Sequence, residues 1–439
     1  MSRKFVFIGA GSHNFSRSLA RDLLTYPAFE DCTLALVDID PQGLENARIA
    51  IQRIIDEGHY HAQIVTSTDR TEVLPGADGV VSMLMAQPLS VFRRDLEICE
   101  KYGVSINVGD TRNAAGIFRF LRTVPVMLDI LADIRRYCPG AIFLNYTNPM
   151  AMLCRAMQEA APEIVTTGLC HSVQGTAMKF EQLLHLPEGS LHYTCAGINH
   201  MAYYLRLEHD GQDMYPALRH AILDDPEVFG QDIVRNEVFR AFGYYVTESS
   251  GHFSEYSPWF RKNREKIGQY CMSGLGNTGR PNYTIEVREE RARNYDAHIR
   301  QFLTEPVDLA RGREYASRIF NAILGDGTLF RFNGNVRNFG LIDNLPAGAC
   351  VEVPVLASPD GLSPIHVGPI PYAVLPLMSL SSQLEEMAVR ASFEGDPELV
   401  YQAICYDPLT AAVLDLREIR AMTDELFAFS KPYLPQFRL

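Results

Sequence analysis

Lys4-Phe5-Val6-Phe7-Ile8-Gly9-Ala10-Gly11-Ser12-His13-Asn14 opens the chain with a short apolar run and a glycine turn, and Phe15 to Leu24 continues at helical spacing. Leu34-Ala35-Leu36-Val37-Asp38 is a second apolar run ending in an acid. Strand, glycine turn, helix, strand and acid in this order form the dinucleotide-binding fingerprint. Gly9 permits the tight turn, Gly11 and Ser12 bring the backbone to a pyrophosphate at the helix N-terminus, and Asp38 can accept from a ribose hydroxyl. Asn14 stands where the third glycine usually sits and completes the candidate cofactor set. No Arg follows Asp38, which favours NAD over NADP. The plainer alternative is a structural βαβ start whose Asp38 only caps the next helix.

Outward from this start, Gly79 to Met83, Ala141 to Asn145 and Ile164 to Leu169 read as strands, and Leu89 to Tyr102 and Ile117 to Tyr137 as helices. Strands alternating with helices predict an α/β fold with a Rossmann-like, doubly wound parallel sheet. The rhythm then changes. Ala202 to Glu208 alternates and Asp210-Gly211 is a hairpin turn. Helical patterns follow at 233–242, 284–303, 314–324 and 377–394, with short strands at 349–356. Gly274 to Gly279 and Ser358 to Gly361 read as loops. The expected division is a nucleotide half, residues 1–195, and a mixed, mostly helical α+β half, residues 196–439, closing over the first.

Composition bounds the function. With 439 residues, 47% hydrophobic and 21% charged, the chain has material for two globular cores. A net charge of -13 with no Lys/Arg run argues against nucleic acid or an acidic membrane as partner. Nine cysteines without repeated spacing fit a reducing compartment. The apolar run behind Lys4 ends at Ile8, too short for a signal-peptide core, and no apolar stretch has transmembrane length. A cytoplasmic protein with a small-molecule substrate is expected.

Three polar strand ends are expected to converge: Asn145-Tyr146-Thr147-Asn148-Pro149, Thr167-Gly168-Leu169-Cys170-His171 and Gly197-Ile198-Asn199-His200. Open α/β sheets bind ligands at such ends. Cys170 and His200 offer a soft and a borderline ligand, suited to a divalent transition metal with open positions. Taken singly, each is better explained as a core residue. His171 reads as a proton donor beside the metal or an outer partner of it. Asn145 and Asn148 are candidates for sugar hydroxyls, or for capping the helix near Pro149. Asp110 can bind substrate or stabilise a turn. Thr247 to Tyr256 packs Glu248, His252, Glu255 and Tyr256 into ten positions, more than a plain surface helix explains.

At these residues the chain resembles glycoside hydrolase family 4, and within it the α-galactosidase (melibiase) branch. The resemblance rests on Phe7-Ile8-Gly9-Ala10-Gly11-Ser12, Asn145 to Pro149, Gly168 to Gly175, Gly197 to Met201, Thr247 to Phe260, Gly334 to Asn338 and Ile342 to Pro346. It implies tightly held NAD and Mn2+, or another divalent ion, on Cys170 and His200. It also implies a redox route: NAD oxidises the sugar at C3, a base removes the acidified C2 proton, and the glycosidic oxygen leaves with acid help. Water then adds and the hydride returns. By family position His171 is the acid, and the base comes from 248–256, with His252 favoured before Tyr256. A homodimer or homotetramer is expected.

Two stretches depart from that family. Arg112-Asn113-Ala114-Ala115-Gly116 replaces a Gly-Pro-Gly-Gly, and Met85-Ala86-Gln87-Pro88-Leu89 replaces the branch's Gln-x-Gly-Gly-Tyr. Both are expected beside the substrate. Arg93, Arg94 and Arg112 then leave room for a uronide or phosphoglycoside, alongside an α-galactoside or α-glucoside. An NAD-dependent sugar dehydrogenase and a non-catalytic NAD sensor are the competing classes.

Overall fold

The computed structural model describes residues 2–272 and 278–438. Its strands are β1 (Lys4–Ile8), β2 (Thr33–Val37), β3 (Gln63–Ser67), β4 (Gly79–Ser82), β5 (Ile142–Asn145), β6 (Thr166–Leu169), β7 (His192–Ile198), β8 (Met201–His209), β9 (Gln212–Asp213), β10 (Phe330–Arg337), β11 (Cys350–Ser358) and β12 (Gly361–Pro364). They form one sheet in the order β3-β2-β1-β4-β5-β6-β10-β11-β7-β8-β9, with β12 on β11. From β3 to β6 neighbouring strands are parallel. From β6 onward they are antiparallel.

The parallel part follows from its sequence. β1, β2, β4 and β5 are nearly continuous apolar runs because helices cover both faces. His13–Leu24, Pro41–Gly58 and Tyr315–Leu324 share a core with one face. Leu89–Lys101, Asn113–Tyr137 and Met150–Ala160 cover the other, and the late helices Leu375–Glu394, Pro397–Cys405 and Leu416–Ser430 pack upon them. A third core lies where the β7–β8 hairpin meets Ser172–Leu183, Tyr215–Leu223 and Ile233–Phe242.

The second half does not simply close over the first; it extends the same sheet. β10 pairs with β6 through Gly334↔Leu169 and Asn335↔Gly168. A strand in that place satisfies the edge of the parallel sheet, which would otherwise present unpaired N–H and C=O groups. β10 and the edge strand β3 escape sequence reading: Gln63–Ser67 is largely exposed and Phe330–Arg337 lacks alternation. The single helix expected over 284–303 is two, Tyr283–Arg293 and Tyr295–Thr304, divided at Asn294. Residues 113–116, in the stretch that departs from the family pattern, are the first turn of a helix. Ser358 to Gly361 is the β11–β12 turn, and of the loop expected at Gly274 to Gly279, residues 274–277 lie outside the described residues. Among the described residues, no helix is long and apolar enough to cross a membrane.

Candidate active site

The glycine turn after β1 is held from two sides. Gly9 and Ala10 both donate to the Val37 carbonyl, at 2.9 and 3.0 Å, which ties the turn to the end of β2. Gly9 has φ 86, and a Cβ there would stand 2.9 Å from the Leu84 backbone, so only glycine fits. Asp38 Oδ2 accepts the Gly11 N–H at 2.7 Å. The plainer role falls to another residue, since Asp40 caps the next helix by accepting the Gln42 N–H at 3.0 Å. Ser12 starts the first helix without a side-chain cap bond; Asn14 belongs to that helix, and its side chain lies outside the described residues.

A cavity of about 1210 Å³ runs from this turn to the far strand ends. Gly9, Ser12, Asp38, Ile39 and Thr68 line one end, and Asp110, Cys170, His171, His200, Glu248 and His252 the other. The sheet explains the convergence. β6 delivers Cys170, the turn between β7 and β8 delivers His200, and Ser249 caps the short helix Ser250–Glu255 that carries His252.

His200 is the hub. Its Nδ1 lies 2.8 Å from Thr111 Oγ1 and 3.4 Å from the Tyr256 hydroxyl, and its Nε2 lies 3.3 Å from Glu248 Oε2. Burial pushes His200 down to about 4, so the ring is a neutral imidazole with a lone pair to give. Ligand atoms of Cys170, His200 and Glu248 lie within 4.8 Å of one another, as do those of Asp110, His200 and His252. Burial, then the carboxylates of Glu352 and Glu248, push the Cys170 thiol well above its usual range. A thiolate there needs a cation, and thiolate, imidazole and carboxylate together suit a divalent transition metal.

His252 sits between two acids. Its Nδ1 is 3.2 Å from Glu248 Oε1 and its Nε2 is 3.6 Å from Asp110 Oδ1. Burial opposes its charge, but Glu248 and Asp110 outweigh burial and push His252 up to about 9. Glu248 is pulled the other way, to about 2, because His252 and His200 outweigh its own burial. Asp110 likewise stays well below the carboxylate range despite burial, through the His252 ring that faces it. Glu248 and His200 both have left-handed backbone, φ 69 and 61, strain of the kind that clusters at functional sites.

Several expected residues stand elsewhere. Asn145 is fully buried and does not line the cavity; its Oδ1 takes Ser82 Oγ at 2.7 Å and the Thr147 N–H at 3.0 Å, bracing the loop that carries Thr147 and Asn148. Asn148 lines the cavity while its Oδ1 accepts the Met150 N–H at 3.2 Å. Glu255 turns to the backbone: its Oε2 accepts the Gly109 N–H at 3.0 Å and its Oε1 those of Asn107 and Val108. Tyr256 lies behind His200, outside the cavity lining. His171 stands exposed at the mouth.

The three arginines expected near an acidic sugar are engaged: Arg93 with Glu289, Arg94 with Glu97, Arg112 with Glu385. Arg119 and Arg288 line the cavity in their place. Sequence reading missed Thr111 and Arg119. Thr111 stood beside a chosen Asp, whereas Arg119 sits mid-helix, where only the fold aims it inward.

Comparison with known proteins adds the following. The model described as family 4 glycosyl hydrolase matches residues 4–186, and that of the family 4 glycosyl hydrolase C-terminal domain residues 195–410. An alpha-galactosidase of Bacillus subtilis is 36% identical over 99% of this chain and 100% of its own. One of Rhizobium meliloti is 34% identical over 99% and 90%, and an alpha-galacturonidase of Thermoanaerobacterium saccharolyticum is 26% identical over 99% and 97%. Among solved structures, a 6-phospho-alpha-glucosidase from gut microorganisms, in complex with NAD and Mn2+, superposes with TM-score 0.83 at 20% identity, covering both chains entirely.

Proposed function

This chain belongs to glycosyl hydrolase family 4, and we propose that it hydrolyses α-galactosides with NAD and a divalent ion such as Mn2+. The observation that carries this reading is the single cavity joining the Gly9–Asp38 turn to Cys170, His200 and Glu248. When bound, NAD would take the C3 hydride and the ion would polarise the resulting ketone.

The residues divide the remaining work. Gly9, Gly11 and Ser12 form the phosphate-facing turn, Asn14 follows in the first turn of the helix behind it, and Asp38 both braces the turn and faces the ribose. Cys170 and His200 hold the ion, with Glu248 beside them. Asp110 and Asn148 face the sugar, and Asn145 holds the loop beneath it. His171, at the mouth, protonates the leaving oxygen. His252 moves the C2 proton: an ion held by His200, whose ring lies 5.2 Å from that of His252, would add positive charge that works against the proton Glu248 and Asp110 retain there. Tyr256 steadies His200. The chain works as a nucleotide half, 1–195, and a substrate half, 196–439, in a cytoplasmic homodimer or homotetramer.

A second reading concerns the sugar. Arg119 has a buried Nη1 without a hydrogen-bond partner and shares the cavity wall with Arg288, which favours an α-galacturonide or another acidic glycoside. Aryl α-galactoside, α-galacturonide, α-glucoside and 6-phosphoglucoside, each with NAD, Mn2+ and a reductant, separate the readings. Fastest cleavage of the neutral galactoside supports the first. Net NADH formation from free sugars with no cleavage would replace both by a dehydrogenase, and NAD binding with neither activity by a sensor.

A further inference from the structure

Arg112 has no part in the chemistry above, yet it is 1% exposed, and a guanidinium so deeply buried is tolerated only where partners hold it. Its Nη2 donates to the Asn199 carbonyl at 2.6 Å and pairs with Glu385 Oε1 at 2.9 Å, on the helix Leu375–Glu394. Its guanidinium carbon lies over the Tyr256 ring, 4.9 Å from the centroid. Asn199 precedes His200, and its side-chain amide donates to Glu352 Oε2 on β11 at 3.4 Å. The preceding residue, Thr111, meets His200 Nδ1. Residues 111 and 112 therefore grip both the ring of His200 and the peptide that leads into it, at a turn where His200 is kept at φ 61.

We propose that Arg112 is a positioning residue: with Glu385 it pins the Asn199–His200 turn and the Tyr256 ring, and so sets the direction in which His200 Nε2 faces Glu248 and a bound ion. The inference rests on the metal reading of Cys170 and His200. Without the guanidinium, the Asn199 carbonyl loses this donor, and the strained turn loses the hold on its backbone that Thr111 and Glu352, which meet side chains, do not replace. The stretch 112–116, which departs from the family pattern, thus supplies a brace from below the site rather than a contact with the sugar.

A brace for the metal and a strut for the late helix predict different results. Arg112→Met alone would strand a buried Glu385 and lose stability in either case. The informative variant is Arg112→Met/Glu385→Met, which removes both charges together. Mn2+ binding to the folded protein is read from the resonance of the free ion, with NAD binding as control, and kcat and KM are measured apart. The double variant is expected to keep its circular dichroism and NAD affinity, to bind Mn2+ about tenfold more weakly, as outer-shell changes do, and to lose kcat at little change in KM. Arg112→Lys is expected to recover part of both losses, since an ammonium can still reach the Asn199 carbonyl. Mn2+ affinity and kcat within about twofold of the parent in the folded double variant would overturn the proposal. If the double variant does not fold, Arg112→Lys decides: a lowered Tm with unaltered Mn2+ binding marks a purely structural residue. A parent protein that binds no Mn2+ through Cys170 is recognised first, by comparison with Cys170→Ser, and there the metal reading fails and the inference with it.

Discussion

Glu248 and His200 face one another across 3.3 Å, carboxylate Oε2 to imidazole Nε2, with both residues in left-handed backbone. The imidazole is neutral and the carboxylate ionised; with its proton on Nδ1, beside Thr111 Oγ1, His200 turns an Nε2 lone pair toward Glu248 at the wall of a cavity beside a buried thiol. A divalent cation is the group that relieves such an arrangement.

Chelation should therefore abolish activity, and Mn2+ with a reductant should restore it. Cys170→Ser should retain the fold and lose most Mn2+ affinity, while Glu248→Gln should weaken binding roughly tenfold, as the loss of a partner beside the ligands does. Titration of the purified variants with Mn2+ checks this, and full activity of Cys170→Ser in excess chelator would refute the site.

The ion-free protein should carry a histidine signature in its stability. His252 is pushed up to about 9 from 6.5, so its contribution is complete below pH 6.5 and is lost as pH rises through about 9. His200 is pushed down to about 4, so the unfolded chain binds its proton first and stability falls between pH 6.5 and 4. Calorimetric Tm in chelator should peak near pH 6.5, and His252→Gln should flatten the alkaline limb. An unchanged alkaline limb in that variant would show that His252 does not hold its proton.

NAD should bind with clear preference over NADP. Asp38 receives the Gly11 N–H besides facing the cavity, so Asp38→Ala should weaken NAD by roughly tenfold, a charge-assisted bond's worth, and narrow the preference. Gly9→Ala should do more, because its Cβ meets the Leu84 backbone at 2.9 Å. Fluorescence titration with both nucleotides decides; equal affinity of the parent for the two would count against the cofactor reading.

Turnover in deuterated water should place deuterium at C2 of the released sugar, because the proton leaves before the glycosidic bond breaks. His252→Ala should suppress exchange together with turnover. His171→Ala should slow poor leaving groups by about 100-fold or more and activated aryl glycosides far less, since only the former need the acid. Retention of all C2 hydrogen during efficient hydrolysis would exclude the elimination route.

The sequence by itself determined the nucleotide half. Gly9, Gly11 and Asp38 do their work within one βαβ unit, and local spacing carries local structure. It also singled out Cys170 and His200, because uncommon polar residues at apolar strand ends stand out against a core-forming background, and Glu248 and His252, because ten positions hold more acid and base groups than a plain surface helix explains. Tertiary structure alone decided which groups face one another. β10 enters the sheet beside β6 from far along the chain, Glu255 turns to the 107–109 backbone, and Arg112 disappears beneath the site to meet Glu385. Hydrophobic periodicity says which face of a strand or helix is buried, but not which buried carboxylate will face which cation. That pairing depends on distances of a few ångströms between segments more than a hundred residues apart, and only the packed chain sets them.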